Sequence, residues 1–126
     1  MDERHAYATV TGKLILGLRV LRGLNQGVLA SRAGLSQSAL SRFENGQTLP
    51  DAYELRSLAI ALGYKPEQLV DRIEGAFART RDAARKVSPG TSWKDIAAAG
   101  VLAGLAIVGV AAILDEAGKK GSGRKR

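Results

Sequence analysis

Short runs of apolar residues at helical spacing, each followed by a glycine, occupy the first half of the 126-residue sequence. Leu14, Leu18 and Leu21, for example, recur every three to four residues, which is the period of an α-helix. A glycine directly after such a run is a common helix stop signal, and the glycines in this position are Gly23, Gly34, Gly46 and Gly63. Because Val, Ile, Tyr and Thr do not alternate with the two-residue period of a strand, the sequence predicts an all-α chain.

Capping residues indicate where the predicted helices begin. The side chains of Asn25 and Ser36 can accept hydrogen bonds from the backbone at a helix start. Asp51 and Glu54 have the spacing of a capping box, and Pro66 suits the first turn of a fifth helix. We therefore expect five helices between residues 13 and 87. Residues 1–12 are interpreted as an N-terminal arm, and Val20, Leu21 and Leu24 are assigned to the core.

The fifth predicted helix is longer than a compact five-helix domain requires. Its apolar positions keep the helical spacing for about three heptads, at Leu69, Ile73, Ala76, Phe77, Thr80, Ala84 and Val87. Residues 88–90, Ser-Pro-Gly, then end it. We predict that residues 71–87 extend the fifth helix and offer a contact for pairing with a second copy of the chain.

The charge and the cysteine count exclude several classes of protein. Lys and Arg total 19 against 12 Asp and Glu, a net charge of +7, which favours a polyanionic partner such as nucleic acid or an anionic membrane. There is no Cys and a single His, His5, so disulfide frameworks, zinc fingers and thiol nucleophiles are excluded. The serines also have no His to act as a general base. We expect no enzymatic activity, no metal and no other cofactor.

Residues 26–45 carry most of the information on function. Ala30 is small at the point where two short helices would cross steeply, and Gly34 stands in the turn between them, where a positive φ is needed. In the third predicted helix the polar side chains share one outward stripe, formed by Gln37, Ser38, Ser41, Arg42 and Asn45. This pattern predicts a helix-turn-helix.

The sequence here resembles the Cro and phage-repressor type of helix-turn-helix domain, the XRE family. The stretches that match are GLNQGVLASRAGLSQSALSRFENGQTLP and LRSLAIALGYKPEQL, within residues 13–70. The resemblance implies a five-helix, lambda-repressor-like domain that binds double-stranded DNA as a two-fold homodimer. Its third helix would then be the recognition helix in the major groove.

The resemblance also implies roles for individual side chains, each of which has a solvated surface residue as its alternative. The candidates for contacts with base edges are Gln37, Ser38, Ser41 and Arg42, and glutamine suits a bidentate contact with adenine. The candidates for phosphate contacts are Gln26, Asn45, Gln47 and Thr48, with Gln26 also bracing the recognition glutamine. Arg19 and Glu44 are expected to form a structural ion pair. Gly27 departs from the family pattern, at a cost of about 0.5–1 kcal/mol in helix stability.

Ile96–Leu114 is a run of nineteen residues without a charged or strongly polar side chain. As a helix it would be about 28 Å long, close to the ~30 Å thickness of a bilayer's hydrocarbon core. Trp93 and Lys119 flank it as interfacial anchors would, and Gly100 and Gly104 offer a surface for close helix approach. We predict a linker at residues 88–92, a transmembrane helix at 93–116 and a basic disordered tail at 117–126.

The predicted function is sequence-specific DNA binding by a small transcriptional regulator, a repressor, tethered to the membrane through Ile96–Leu114. The expected location is the bacterial inner membrane with the helix-turn-helix domain in the cytoplasm. The basic residues on the two sides of the segment balance, so the positive-inside rule gives no orientation. If the segment is instead an oligomerisation helix, the protein is a soluble cytoplasmic repressor.

A function of another class stays open beside these. The order of helix-turn-helix domain, basic linker and membrane span resembles the layout of the bacterial cell-shape protein RodZ. That likeness implies a membrane adaptor whose helix-turn-helix binds a protein. The outward stripe of the third helix is polar and carries Arg42, which favours DNA over a protein partner.

Overall fold

The computed structural model describes residues 3–87, with side chains as far as residue 83, and contains five α-helices and no strand in that range. The helices are α1 (Glu3–Leu21), α2 (Gln26–Arg32), α3 (Gln37–Glu44), α4 (Ala52–Ala61) and α5 (Pro66–Val87). The predicted all-α class is confirmed for these residues. The predicted linker, apolar helix and basic tail lie outside the described residues, and none of the helices from α1 to α5 has the length and hydropathy that crossing a bilayer requires.

The local signals in the sequence produce the helix ends that were predicted. The Asn25 side chain accepts a hydrogen bond of 2.8 Å from the backbone N–H three residues further on, and Ser36 does the same at 3.0 Å. Asp51 and Glu54 form the reciprocal capping box that starts α4. Between α2 and α3 the chain turns through Gly34 at φ +69°. These caps satisfy backbone groups that would otherwise lack partners.

The core lies where the five helices meet. α1 packs against α3 and α5, and α4 packs against α2 and α5. The main cluster of buried apolar side chains draws on every helix and on the turn after α4, and its largest members are Leu14, Ile15, Leu18, Leu29, Leu40, Phe43, Leu58, Leu62, Leu69 and Ile73. Burial of these side chains fixes which faces of α2 and α3 remain outside.

α1 begins earlier than the sequence pattern predicts. Residues 1–12 were expected to be an arm, but from Glu3 onward they are helical. Ala6 and Val10 are buried in one cluster with Ala76 and Phe77 of α5. The centroid of the Tyr7 ring lies 5.1 Å from that of the Phe77 ring. Burial and a hydrogen bond to Glu74 raise the pKa of the Tyr7 hydroxyl. The expected arm is therefore part of the packed structure.

The extension of α5 is covered by this early part of α1. Ile73, Ala76, Phe77 and Thr80 are buried within the chain, so this part of the seam that we predicted for pairing with a second copy is already occupied. The interpretation of residues 1–12 as an arm left Ala76 and Phe77 without the partners that they have in Ala6 and Val10. Positions 84 and 87 lie beyond the described side chains.

Two residues assigned to the core are exposed. Val20 is 63% exposed and Leu21 is 44% exposed, so the prediction was wrong for both. Val20 lies two residues from the buried Leu18, which is about 200° around a helix and thus on the opposite face. Leu21 is the last residue of α1. Leu24 packs against the core as predicted.

Candidate nucleic-acid interface

α2 and α3 form a two-helix unit held by the core. Leu29 and Ala30 of α2, and Leu40 and Phe43 of α3, are buried. The turn between the helices is closed by a 2.8 Å hydrogen bond from the Leu35 N–H to the Ala30 carbonyl. Because the apolar faces of both helices point into the bundle, their polar faces point outward together.

One open depression collects all the base-contact candidates. It is lined by Gln26, Gln37, Ser38, Ser41 and Arg42. Gln37, Ser38 and Arg42 are exposed, whereas Gln26 and Ser41 are half-buried. None of these five side chains is acidic. The structure thus brings one phosphate-contact candidate, Gln26, to the same surface as the four candidates for base contact.

Glu44 lies beneath this surface and is paired with Arg19. The Glu44 side chain is buried, with 4% of the residue exposed. Arg19 donates from Nε to Oε2 at 2.7 Å and from Nη2 to Oε1 at 3.1 Å. A third bond runs from Arg19 Nη1 to the Leu24 carbonyl at 3.0 Å. The carboxylate is therefore neutralised inside the domain and does not present its charge on the outer surface.

The same carboxylate orients two glutamines. Gln26 donates from Nε2 to Glu44 Oε1 at 3.0 Å, and Gln37 donates from Nε2 to Gln26 Oε1 at 3.3 Å. Since a carboxylate only accepts hydrogen bonds, the nitrogen of Gln26 must face Glu44 and its oxygen must face Gln37. Within the described part of the chain, Gln37 has no further partner for its Oε1 and its second N–H. These two groups are an acceptor and a donor that match the major-groove edge of adenine.

The remaining phosphate-contact candidates follow α3. Asn45 caps the helix, and its Nδ2 lies 3.5 Å from Ser41 Oγ at the edge of the first depression. Gln47 and Thr48 are exposed and line a second depression, whose other wall is the start of α1, including Arg4. Sequence reasoning assigned no role to Arg4, because the approach of Arg4 to this loop depends on the early start of α1.

Gly12 is a second residue whose role was not predicted from the sequence. A Cβ at this position would lie 3.0 Å from the Glu44 carbonyl oxygen and closer still to that of Phe43. α1 therefore packs directly on the backbone at the end of α3. A similar close approach occurs where Gly46, at φ +72°, meets Thr9. A glycine at the start of a helical pattern is a weak signal, and only the packing shows what it allows.

Comparison with known proteins agrees with this geometry. Residues 15–69 match the model of a family described as Helix-turn-helix. The crystal structure of the clp gene regulator ClgR from Corynebacterium glutamicum is similar, with a TM-score of 0.55 and 22% sequence identity over 66% of this chain and 95% of that chain. At this identity the likeness concerns the fold. No curated protein matches the chain.

Proposed function

We propose that the protein is a transcriptional regulator that binds double-stranded DNA with α3 in the major groove. The match of residues 15–69 to the helix-turn-helix family supports this proposal. One observation carries the proposal. The partly buried Arg19–Glu44 pair holds Gln26, and Gln26 holds Gln37 in the first turn of α3, on the outward polar face of that helix. These hydrogen bonds hold the Gln37 side chain in one orientation, in which it can contact a ligand.

The bases would be read along the outer face of α3. Gln37 pairs with adenine through its Oε1 and its second N–H. Ser38 stands beside it and can bond to several base edges, while Ser41 and Arg42 lie one turn further along. Arg42 suits either a guanine or a phosphate, depending on how deeply α3 enters the groove.

The DNA backbone would be held at both ends of α3. Gln26 approaches it at the start of the helix-turn-helix, and Asn45, Gln47 and Thr48 approach it after α3. These are neutral groups that fix the position of the domain on the duplex. The net charge of +7 adds an attraction to DNA that is independent of sequence and weakens steeply with salt.

A repressor acting as a homodimer fits these dimensions. A single eight-residue α3 contacts only a few base pairs, which gives little selectivity in a genome. Two copies related by a two-fold axis would place their α3 helices in successive major grooves, about 34 Å apart. A dimer seated in this way blocks access to a promoter, and no part of the proposal requires catalysis.

Membrane tethering through Ile96–Leu114 is part of the proposal. Its support is the length and apolar character of that segment, which lies outside the described residues. The alternatives are the soluble repressor with an oligomerisation helix and the adaptor of RodZ-like layout. The depression around Gln37 is lined by polar side chains and Arg42, and no described residue in its lining is aromatic. This favours DNA as the partner, because the core of a protein–protein interface is enriched in aromatic residues.

Selection of bound duplexes from a random pool tests the proposal. The full-length protein, purified in a mild detergent, is expected to enrich one motif arranged as an inverted repeat. The doubly substituted Gln37→Ala, Ser38→Ala protein is the matched control, because both side chains are exposed and their loss should leave the fold intact. If the folded parent enriches no motif, sequence-specific binding is refuted.

A further inference from the structure

We propose that Arg4, in the first turn of α1, contacts a DNA backbone phosphate and so extends the interface beyond the helix-turn-helix. The inference rests on the proposed function and adds a residue to it. Arg4 lies outside residues 15–69, which match the family. Its place in the interface follows from the early start of α1 in this chain.

The first observation is where the start of α1 lies. Arg4 and His5 form one wall of the second depression, and the loop after α3, with Gln47 and Thr48, forms the other. The two walls are fixed to each other, because Gly46 packs against Thr9 so closely that a Cβ on Gly46 would lie 3.0 Å from Thr9 Cα. Arg4 is therefore held beside the loop that we assign to the DNA backbone.

The second observation is the charge of Arg4. Its side chain is exposed, and within residues 3–87 the structure gives it no ion pair. A cation in the first turn of a helix also interacts unfavourably with the helix dipole, so the charge of Arg4 does not stabilise α1 through the dipole. A guanidinium in this state is available to an external anion, and a phosphate is the anion that it recognises best.

The third observation is continuity with the face of α3. Asn45 lies between the two depressions, with its Nδ2 near Ser41 Oγ on one side and Gln47 following on the other. With α3 in the major groove, the loop at its end faces the sugar-phosphate strand that borders the groove. Arg4 is brought to the same strand, where it would meet a phosphate neighbouring the one held by the loop.

The salt dependence of DNA binding tests this assignment. The full-length protein, purified in a mild detergent, is titrated with a short duplex of mixed sequence at several salt concentrations. Each phosphate neutralised contributes about 0.9 to the slope of log K against log salt. Arg4→Gln is expected to lower the slope by about 0.9, whereas Arg4→Lys should retain it.

The matched control is Arg79→Gln, which removes the same charge from an exposed position on α5 that lines neither depression. An unchanged slope for Arg4→Gln would overturn the assignment, and so would an equal fall for Arg79→Gln, since the effect would then be one of overall charge. Thermal unfolding of each variant checks that the fold is retained. If the parent binds no duplex at all, the proposed function itself fails, which is a distinguishable result.

Discussion

The amide of Gln37 is held in one orientation by the residues behind it. Gln26 contacts it directly, Glu44 orients Gln26, and Arg19 neutralises Glu44. A side chain that is already ordered loses less conformational entropy when it binds. The directions of these hydrogen bonds also determine which atoms of the Gln37 amide remain available to DNA. The buried Glu44 carboxylate therefore influences the outer face of α3 without being exposed on it.

Replacement of Gln37 is expected to affect the reading of one base pair. Gln37→Ala should lose about 1–3 kcal/mol of discrimination at that position, because both its acceptor and its donor are removed. Thr48→Ala, at a phosphate-contact candidate, should weaken binding to all sequences alike. Titrations with single-base variants of the selected duplex measure both effects. Equal discrimination by Gln37→Ala and the parent would refute the base contact.

Replacement of Glu44 is expected to destabilise the domain. Glu44→Gln keeps the shape but leaves the Arg19 guanidinium, whose side chain is 14% exposed, without its counter-charge. Removing one partner of a buried pair costs about 3 kcal/mol or more, as measured by chemical denaturation. Asp71→Asn, at an exposed position of α5, is the control and should change the unfolding free energy by less than about 0.5 kcal/mol. Similar effects for the two variants would contradict a structural role for the ion pair.

Among the helices, α1 connects α5 to the end of α3. Its first turns pack on α5 through Ala6 and Val10, and its middle packs on the end of α3 at Gly12. The position of the loop after α3 is therefore set by α1 as well as by the helix-turn-helix itself. The periodic signal of Ala6 and Val10 is weak, because alanine contributes little hydrophobicity and the surrounding residues are polar.

The same substitution is expected to have opposite effects at two helical glycines. Gly12→Ala would place a methyl group against backbone carbonyls that cannot rotate away, and such overpacking costs about 1–3 kcal/mol. Gly27→Ala is its matched control, because a Cβ there would meet only side-chain atoms at 3.5–3.6 Å. It should stabilise α2 by up to about 1 kcal/mol.

Thermal or chemical unfolding of the two variants against the parent measures this difference. Gly12→Ala should unfold at a lower temperature or denaturant concentration than the parent, and Gly27→Ala at a higher one. A Gly12→Ala protein as stable as the parent would contradict the close packing of α1 on α3.

For the molecule as a whole, membrane association through the apolar segment Ile96–Leu114 can be tested separately from DNA binding by the folded domain. The protein is expressed with a C-terminal tag, the cells are fractionated, and the membrane pellet is washed with carbonate. The measurement is whether the protein stays in the washed membrane. Retention in the washed membrane is expected, because a helix over Ile96–Leu114 matches the thickness of a bilayer. A version that ends at residue 92 is the control and should be released. Release of the full-length protein would favour the oligomerisation helix.

The features that depend on neighbours along the chain could be predicted from the sequence. Asn25, Ser36, Asp51 and Gly34 specify where helices start and turn, because caps and positive φ values are local interactions. What α1 contacts follows only from the packing of the chain, which shows that its first turns cover α5 and that Arg4 stands beside the loop after α3. Burial depends on which distant segment covers a face, and helical spacing identifies an apolar face without identifying its partner.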